Sequence, residues 1–321
     1  MRLDLRTLLV LLLLAGLAML PLAAALAGEP YWMRFWARVM ILALAAVGLN
    51  LILGFGGLVS FGHAMYVAIG AYAVGILRFH GVEGGLPDLL LALVASGFLS
   101  LLIGAVCLRT SGIFFIMITL AFAQMSYFFF VSLENYGGDD GMRIASGTRL
   151  GPLHLQDSLT LYYTSFLLLC AALFLSWRLV RSRFGMVIRG ARSNQQRMAA
   201  LGFPTFRYRL TAYVISAVIC ALAGVLLANL TLYVSPAYTH WTRSGELLVM
   251  VILGGLGTLF GPLVGAVVLL LLEDVIAHFT QHWQLFLGPI LILVVLFARG
   301  GLLGLLAPRG KAASSGGEPH G

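Results

Sequence analysis

The sequence predicts an all-α, polytopic membrane protein of about eight to ten spans, some of them glycine-broken or re-entrant. Three observations carry that expectation. Only 10% of its 321 residues are charged and 60% are hydrophobic, whereas soluble domains carry roughly 25% charged residues to cover a water-facing surface. Its apolar runs are long and unbroken, where a β-barrel would show short alternating segments. Its positive charge is gathered: Arg178, Arg181, Arg183, Arg189, Arg192, Arg197, Arg207 and Arg209 fall in the stretch 178–209, which holds no Asp or Glu. A loop this rich in arginine between two apolar segments belongs on the cytoplasmic face by the positive-inside rule. The net charge of +8 then reads as topology and as contact with membrane lipid of the inner leaflet, and not as a nucleic-acid surface.

The first apolar run, Thr7 to Gly28, follows Arg2 and Arg6. Ala25-Leu26-Ala27 has the small-x-small form of a cleavage site, but the run is long for a signal-peptide core. Residues 1–30 are therefore read as a retained N-terminal span (a signal-anchor) and residues 31–309 as the main membrane domain. Val39 to Leu77 contains no charge. A single helix of that length would be roughly twice the thickness of the hydrocarbon core, so two segments are expected, broken at Gly54, Gly56 and Gly57. Asp88 precedes a span from Leu89 to Leu108, Arg109 marks a tight inner turn, and Thr110 to Leu133 crosses outward. Glu134 to Asp157, polar and rich in turn residues, forms an external loop. Ser158 to Trp177 then returns to the basic stretch.

After Arg209, Leu210 to Leu232 leaves the cytoplasm and Pro236 sits in an outer turn. Glu246 to Glu273 encloses a charge-free run containing Gly254, Gly255, Gly257, Gly261, Pro262 and Gly265. Two broken segments there, dipping in and coming back, let a final span from Leu285 to Ala298 end inside. Arg299, Arg309 and Lys311 then obey the positive-inside rule. The tail, 310–321, is rich in Gly, Ser and Ala and is expected to be disordered in the cytoplasm.

Gly56-Gly57-Leu58 followed by Phe61-Gly62 is echoed by Gly254-Gly255-Leu256 followed by Phe260-Gly261. Transporters carry such paired interrupted helices, whose exposed backbone ends hold polar substrates. Close helix packing is the competing explanation for any one of these glycines. The candidate substrate path is Gly56, Gly57, Ser60, Gly62, His63, Gly254, Gly255, Gly257 and Gly261. Other polar residues expected within spans are Asn50, Thr119, Gln124, Ser126 and Asn229. His63 offers a donor for a substrate carboxylate, or for a neighbouring backbone carbonyl.

Missing chemistry narrows the function. Lys311 is the only lysine, and no GxxxxGK[ST] loop is present to cradle ATP. None of the twelve acidic residues is expected in mid-span, so the carboxylate relay of a proton-coupled carrier is lacking. Energy for uphill transport would come from another polypeptide pushing on the basic stretch. His278 and His282 have metal-ligand spacing but lack a third ligand, and Asp139-Asp140 lacks the twelve-position calcium pattern. Cys107, Cys170 and Cys220 fall in apolar segments and read as small core residues. No metal or cofactor is expected. No acid, base and nucleophile converge, so the chain is not read as an enzyme.

Five segments, in this order, add a resemblance. They are LGFGGLVSFGHAMYVAIGAY, LRTSGIFFIMITLAF, NYGGDDGM, RSRFGMVIRGARSNQQRMAALGFPTFRYRLTAYVISAVICALAG and GGLGTLFGPLVGA. Together they resemble the branched-chain amino acid ABC transporter permeases of the hydrophobic amino acid uptake family. The resemblance implies a multi-pass permease of the bacterial inner membrane, paired as a heterodimer with a sister permease. Two cytoplasmic ATP-binding subunits would hydrolyse ATP, and a periplasmic solute-binding protein would deliver the solute, meeting outer turns such as Tyr136 to Met142. The coupling loop 178–209 would dock into an ATPase through Arg189, Arg192, Asn194, Gln195, Ala199, Ala200, Leu201 and Gly202. The family's usual pattern there, Arg-Glu-Asn-Glu and then Ala-Leu-Gly, is matched by Arg192, Asn194, Ala200, Leu201 and Gly202. Ser193 and Gln195 stand where Glu is common, so docking is expected through hydrogen bonds or helix shape instead of that salt bridge. Relatives of this fold also serve urea, short amides and other amino acids. A stand-alone channel and a structural subunit are the readings from other classes.

Overall fold

The computed structural model describes residues 12–21, 30–82, 84–150, 153–280, 282, 285, 288, 289, 292 and 301–305. The ends of the first apolar run, most of the final span from Leu285 to Ala298 and the tail lie outside the described residues. The described chain is mostly helical, as a bilayer demands when it offers the backbone no hydrogen-bond partners.

The helices are α1 (Leu12–Pro21), α2 (Pro30–Asn50), α3 (His63–Phe79), α4 (Gly85–Cys107), α5 (Ile113–Val131), α6 (Ser158–Arg181), α7 (Arg183–Ser193), α8 (Gln195–Ala200), α9 (Thr205–Thr231), α10 (Trp241–Gly254), α11 (Gly261–Phe279) and α12 (Leu302–Leu305). A π-helical turn, Leu51–Phe55, prolongs α2. Six described helices are long and apolar enough to cross a membrane: α2 with its π turn, α4, α5, α6, α9 and α11. The 17 residues of α3 and 14 of α10 fall short of the ~20 that a full crossing takes.

The core forms around α2 and α9. The window of α2 is 89% buried, against 28% for α4 and 22% for α5, so α4 and α5 turn most of their apolar surface outward. α9 packs against α2, α3 and α4. Its crossing with α3 is tight because Gly224 lies on the Val67 carbonyl, where a Cβ would overlap the backbone. Small residues of this kind let helix backbones meet.

The connection between α5 and α6 takes part in two small antiparallel ladders, one of them with a strand that follows α9. β1 (Met142–Arg143) pairs with β4 (Tyr233–Val234), and β2 (Arg149–Leu150) pairs with β3 (Leu153–His154). They are tied to the helices by a buried polar knot. Asp88 Oδ2 accepts from Arg78 Nη2 at 2.6 Å and from Thr148 Oγ1 at 2.7 Å, while Thr148 N donates to Asn229 Oδ1 at 2.7 Å.

This knot corrects one expectation. Asp88 does not precede its span but lies in the first turn of α4, fully buried. The Arg78 guanidinium, only 4% exposed, offsets its desolvation. Glu246 likewise lies inside α10, and Glu273 and Asp274 inside α11. Acidic residues therefore do enter the helices, each with a partner: Arg243 for Glu246, Arg38 for Glu273 and Tyr31 for Asp274.

Candidate functional site

The basic stretch folds as a helical spur. α6 ends at Arg181, Ser182 is extended, and α7 turns back against the bundle. Gly185, Val187, Ile188 and Ala191 form the buried face of α7. Arg189 clamps α7 to the end of α6, its Nε donating to the Gly185 carbonyl at 3.3 Å and its Nη2 to the Val180 carbonyl at 3.2 Å. Asn194 is extended, and its side chain accepts from Arg197 N at 2.8 Å, satisfying an otherwise open donor at the start of α8.

No residue of α8 is buried, so Gln195, Ala199 and Ala200 all sit at the surface. Leu201 follows at 67% exposure, and Gly202, with φ of +85°, turns the chain towards α9. The tip thus presents small and apolar side chains on a protruding turn. Gln195 also faces inward in part, accepting from Nη1 of the buried Arg209.

Arg192, itself exposed, lays its side chain back onto the end of α2. Its Nη1 donates to the Gly54 carbonyl, and its stem lies over Gly57, where a Cβ would stand 2.7 Å from Arg192 Cγ. Gly257 is the third wall of this contact. The two glycine-broken segments therefore meet each other at this point. Asn50 Nδ2 donates to the Thr258 carbonyl at 2.9 Å, and Gly54 is packed on the Gly257 backbone nitrogen. Gly255, at φ of +119°, ends α10 in a backbone conformation that a side chain resists. Gly254 packs on Gly261 across the returning hairpin, and Gly56 continues the π turn at φ of −87°.

Ser60, Gly62 and His63 lie away from this joint, at the start of α3. Ser60 Oγ accepts from Gly62 N at 3.2 Å and shares a 2.9 Å hydrogen bond with His63 Nδ1. The imidazole is fully buried, edge-on to Tyr66 and Tyr213, and its bond goes to a hydroxyl and not to a backbone carbonyl. Phe61 N is held by Thr119 Oγ1 at 3.2 Å and Ala64 N by Ser244 Oγ at 3.0 Å. Of the glycines named from the sequence, Gly57 and Gly257 contact Arg192 and Gly254 packs on Gly261, whereas Gly62 stays with the serine–histidine pair where α3 meets α10 and α9. Sequence reading did not single out Thr258 or Ser244, and named Arg209 only as the last arginine of the basic stretch. Only Thr258, directly after the second glycine cluster, carried a positional clue.

A bundle of long apolar helices, two short broken ones and a basic spur seated on the break defines a multi-pass helical membrane protein of the transport-subunit type. Residues 31–296 match the model of the family described as branched-chain amino acid transport system / permease component, and the chain belongs to that family. It is 28% identical to the high-affinity branched-chain amino acid transport system permease protein LivM of Salmonella typhimurium over 299 residues, covering 86% of this chain and 70% of the relative. It is 29% identical to LivM of Escherichia coli over 302 residues, covering 85% and 70%. Permease protein LivH of Escherichia coli is 24% identical over 289 residues, covering 82% and 91%. No solved structure matches the chain.

Proposed function

We propose that this chain is the permease subunit of an ATP-driven importer that carries branched-chain amino acids across the bacterial inner membrane. The observation that carries the mechanism is the contact of Arg192 with the joint of the two broken segments. In this reading α7 and α8 face the cytoplasm and the tip around Ala200 docks on an ATP-binding subunit. Closure of two such subunits on ATP moves α7, and Arg192 transmits the movement to the joint. The broken helices α3 and α10 then shift against α2 and α9, opening the path alternately to either side.

A sister permease completes the path, and a periplasmic binding protein delivers the solute to the opposite end, near β1 and β4. The short helices α3 and α10, with the six long ones and the apolar runs at 7–28 and 285–298, support a count of about eight to ten segments in the membrane.

Reconstitution tests this reading. The chain, a sister permease, the ATP-binding subunits and the binding protein are placed in liposomes, and uptake of labelled leucine is followed with and without ATP. ATP-dependent accumulation is expected. Uptake by the chain alone would mean a facilitator, and ATP-dependent uptake of urea or short amides in place of leucine would move the chain to another solute class.

A further inference from the structure

A cavity of about 330 Å³ lies between α2, α3, α9 and α10. Arg38 of α2 and Arg243 and Glu246 of α10 supply its charge, and Leu42, Leu227 and Leu230 are among its apolar walls. It is set into the bundle. Arg38 stands eight residues beyond Pro30, about 12 Å along the helix at 1.5 Å per residue. The cavity also reaches Ala64, whose backbone N–H joins the first turns of α3 and α10 through Ser244.

Charged side chains at such a position are costly against lipid and are kept where they face a cavity or a protein partner. These stay reachable: 42% of the Arg38 side chain, 47% of Arg243 and 42% of Glu246 are exposed. The lining offers both signs of charge. Glu246 accepts from Arg243 at 2.9 Å, and Arg38, which also reaches Glu273 outside the cavity at 3.3 Å, faces it from α2. A zwitterion can use a guanidinium and a carboxylate together, and an aliphatic tail would suit the leucine wall.

We propose that this cavity holds an α-amino acid with an aliphatic side chain during its passage. The carboxylate lies on Arg38 and Arg243, the ammonium on Glu246, and the side chain against Leu42, Leu227 and Leu230. The assignment rests on the transport function proposed above.

The test uses the assembled transporter in liposomes and a leucine analogue carrying a photoreactive diazirine in its side chain. The label is mapped by mass spectrometry, and ATP-driven uptake of ordinary leucine is measured on the same preparation. Label is expected on the peptides bearing Leu42 or Leu227 and Leu230, displaced by excess leucine. Glu246→Gln removes the ammonium partner, and Leu227→Trp fills the cavity from α9 without touching a charge. Each should lower that label about tenfold, a loss of ~1.4 kcal/mol in binding.

Competition by leucine in the unaltered chain decides the site even where a variant fails to assemble. Label elsewhere, or label on these peptides that leucine does not displace, overturns the cavity. The latter is the result expected if the cavity is merely surface covered by the sister subunit. Leucine uptake with label elsewhere leaves the transport reading standing, whereas absence of leucine uptake by a preparation that hydrolyses ATP removes it.

Discussion

Arg192 donates a hydrogen bond to the backbone carbonyl of Gly54, 138 positions earlier in the chain. The donor belongs to the basic spur and the acceptor to the end of the most buried long helix, so one guanidinium joins a surface element to the core. A charged hydrogen bond of this kind contributes about 1.5–3 kcal/mol. That is enough to make two elements move together.

Arg192→Ala should therefore separate ATP hydrolysis from transport. The expected outcome in liposomes is uptake lowered by about tenfold or more, the equivalent of ~1.4 kcal/mol, with hydrolysis by the partner subunits retained. Arg192→Lys keeps the charge but not the planar fork, and should fall between. Unchanged uptake in Arg192→Ala would remove this side chain from the coupling route.

Ala200→Asp tests the tip of the spur. Ala200 is exposed and has no packing role within the chain, so the substitution should leave membrane insertion and thermal stability alone. A carboxylate at the centre of a docked surface lacks a partner and should abolish uptake and weaken co-purification with the ATP-binding subunits. Normal uptake by this variant would exclude the tip as the docking point.

Asp88→Ala should be among the most damaging single changes outside the spur. It strands Arg78, whose side chain is 4% exposed, and breaking a buried ion pair in this way costs about 3–5 kcal/mol. Thermal unfolding of the purified chain in detergent should register a large loss. Thr148→Val removes the hydroxyl that donates to the same carboxylate and accepts from Arg78 but keeps the ion pair, and should cost less than Asp88→Ala, about 1.5–3 kcal/mol.

Gln195→Glu should stabilise the chain. Gln195 accepts from Arg209, a buried guanidinium whose Nε has no hydrogen-bond partner. A carboxylate in place of the amide would neutralise that charge and strengthen the bond. The melting temperature is expected to rise and the rise to shrink in high salt. A fall would mean that position 195 does not face Arg209 in the folded chain.

Several parts of this layout were legible in the sequence. The glycine clusters announced where α2 and α10 stop, because Gly255 occupies a backbone region closed to most residues. The arginine stretch announced the spur. Asn50 stood out as a polar residue in an oily run, but its partner, the Thr258 carbonyl 208 positions away, was not inferable from spacing. Asp88, Glu246 and Glu273 looked like span edges, since a charge beside an apolar run normally marks an interface. Their partners Arg78, Arg243 and Arg38 are what carry them into the helices.

Composition and backbone chemistry act locally, and they suffice for a polytopic helical membrane protein with two broken segments and one basic connector. Which faces of those helices meet is a different matter. α4 and α5 are apolar nearly all round, so no polar stripe tells the inside from the outside. In lipid the choice falls to close packing of small residues and to a few long-range polar bonds. The crossing at Gly224, the Arg192–Gly54 bond and the cavity that Arg38 and Glu246 share exist only once the tertiary arrangement is formed.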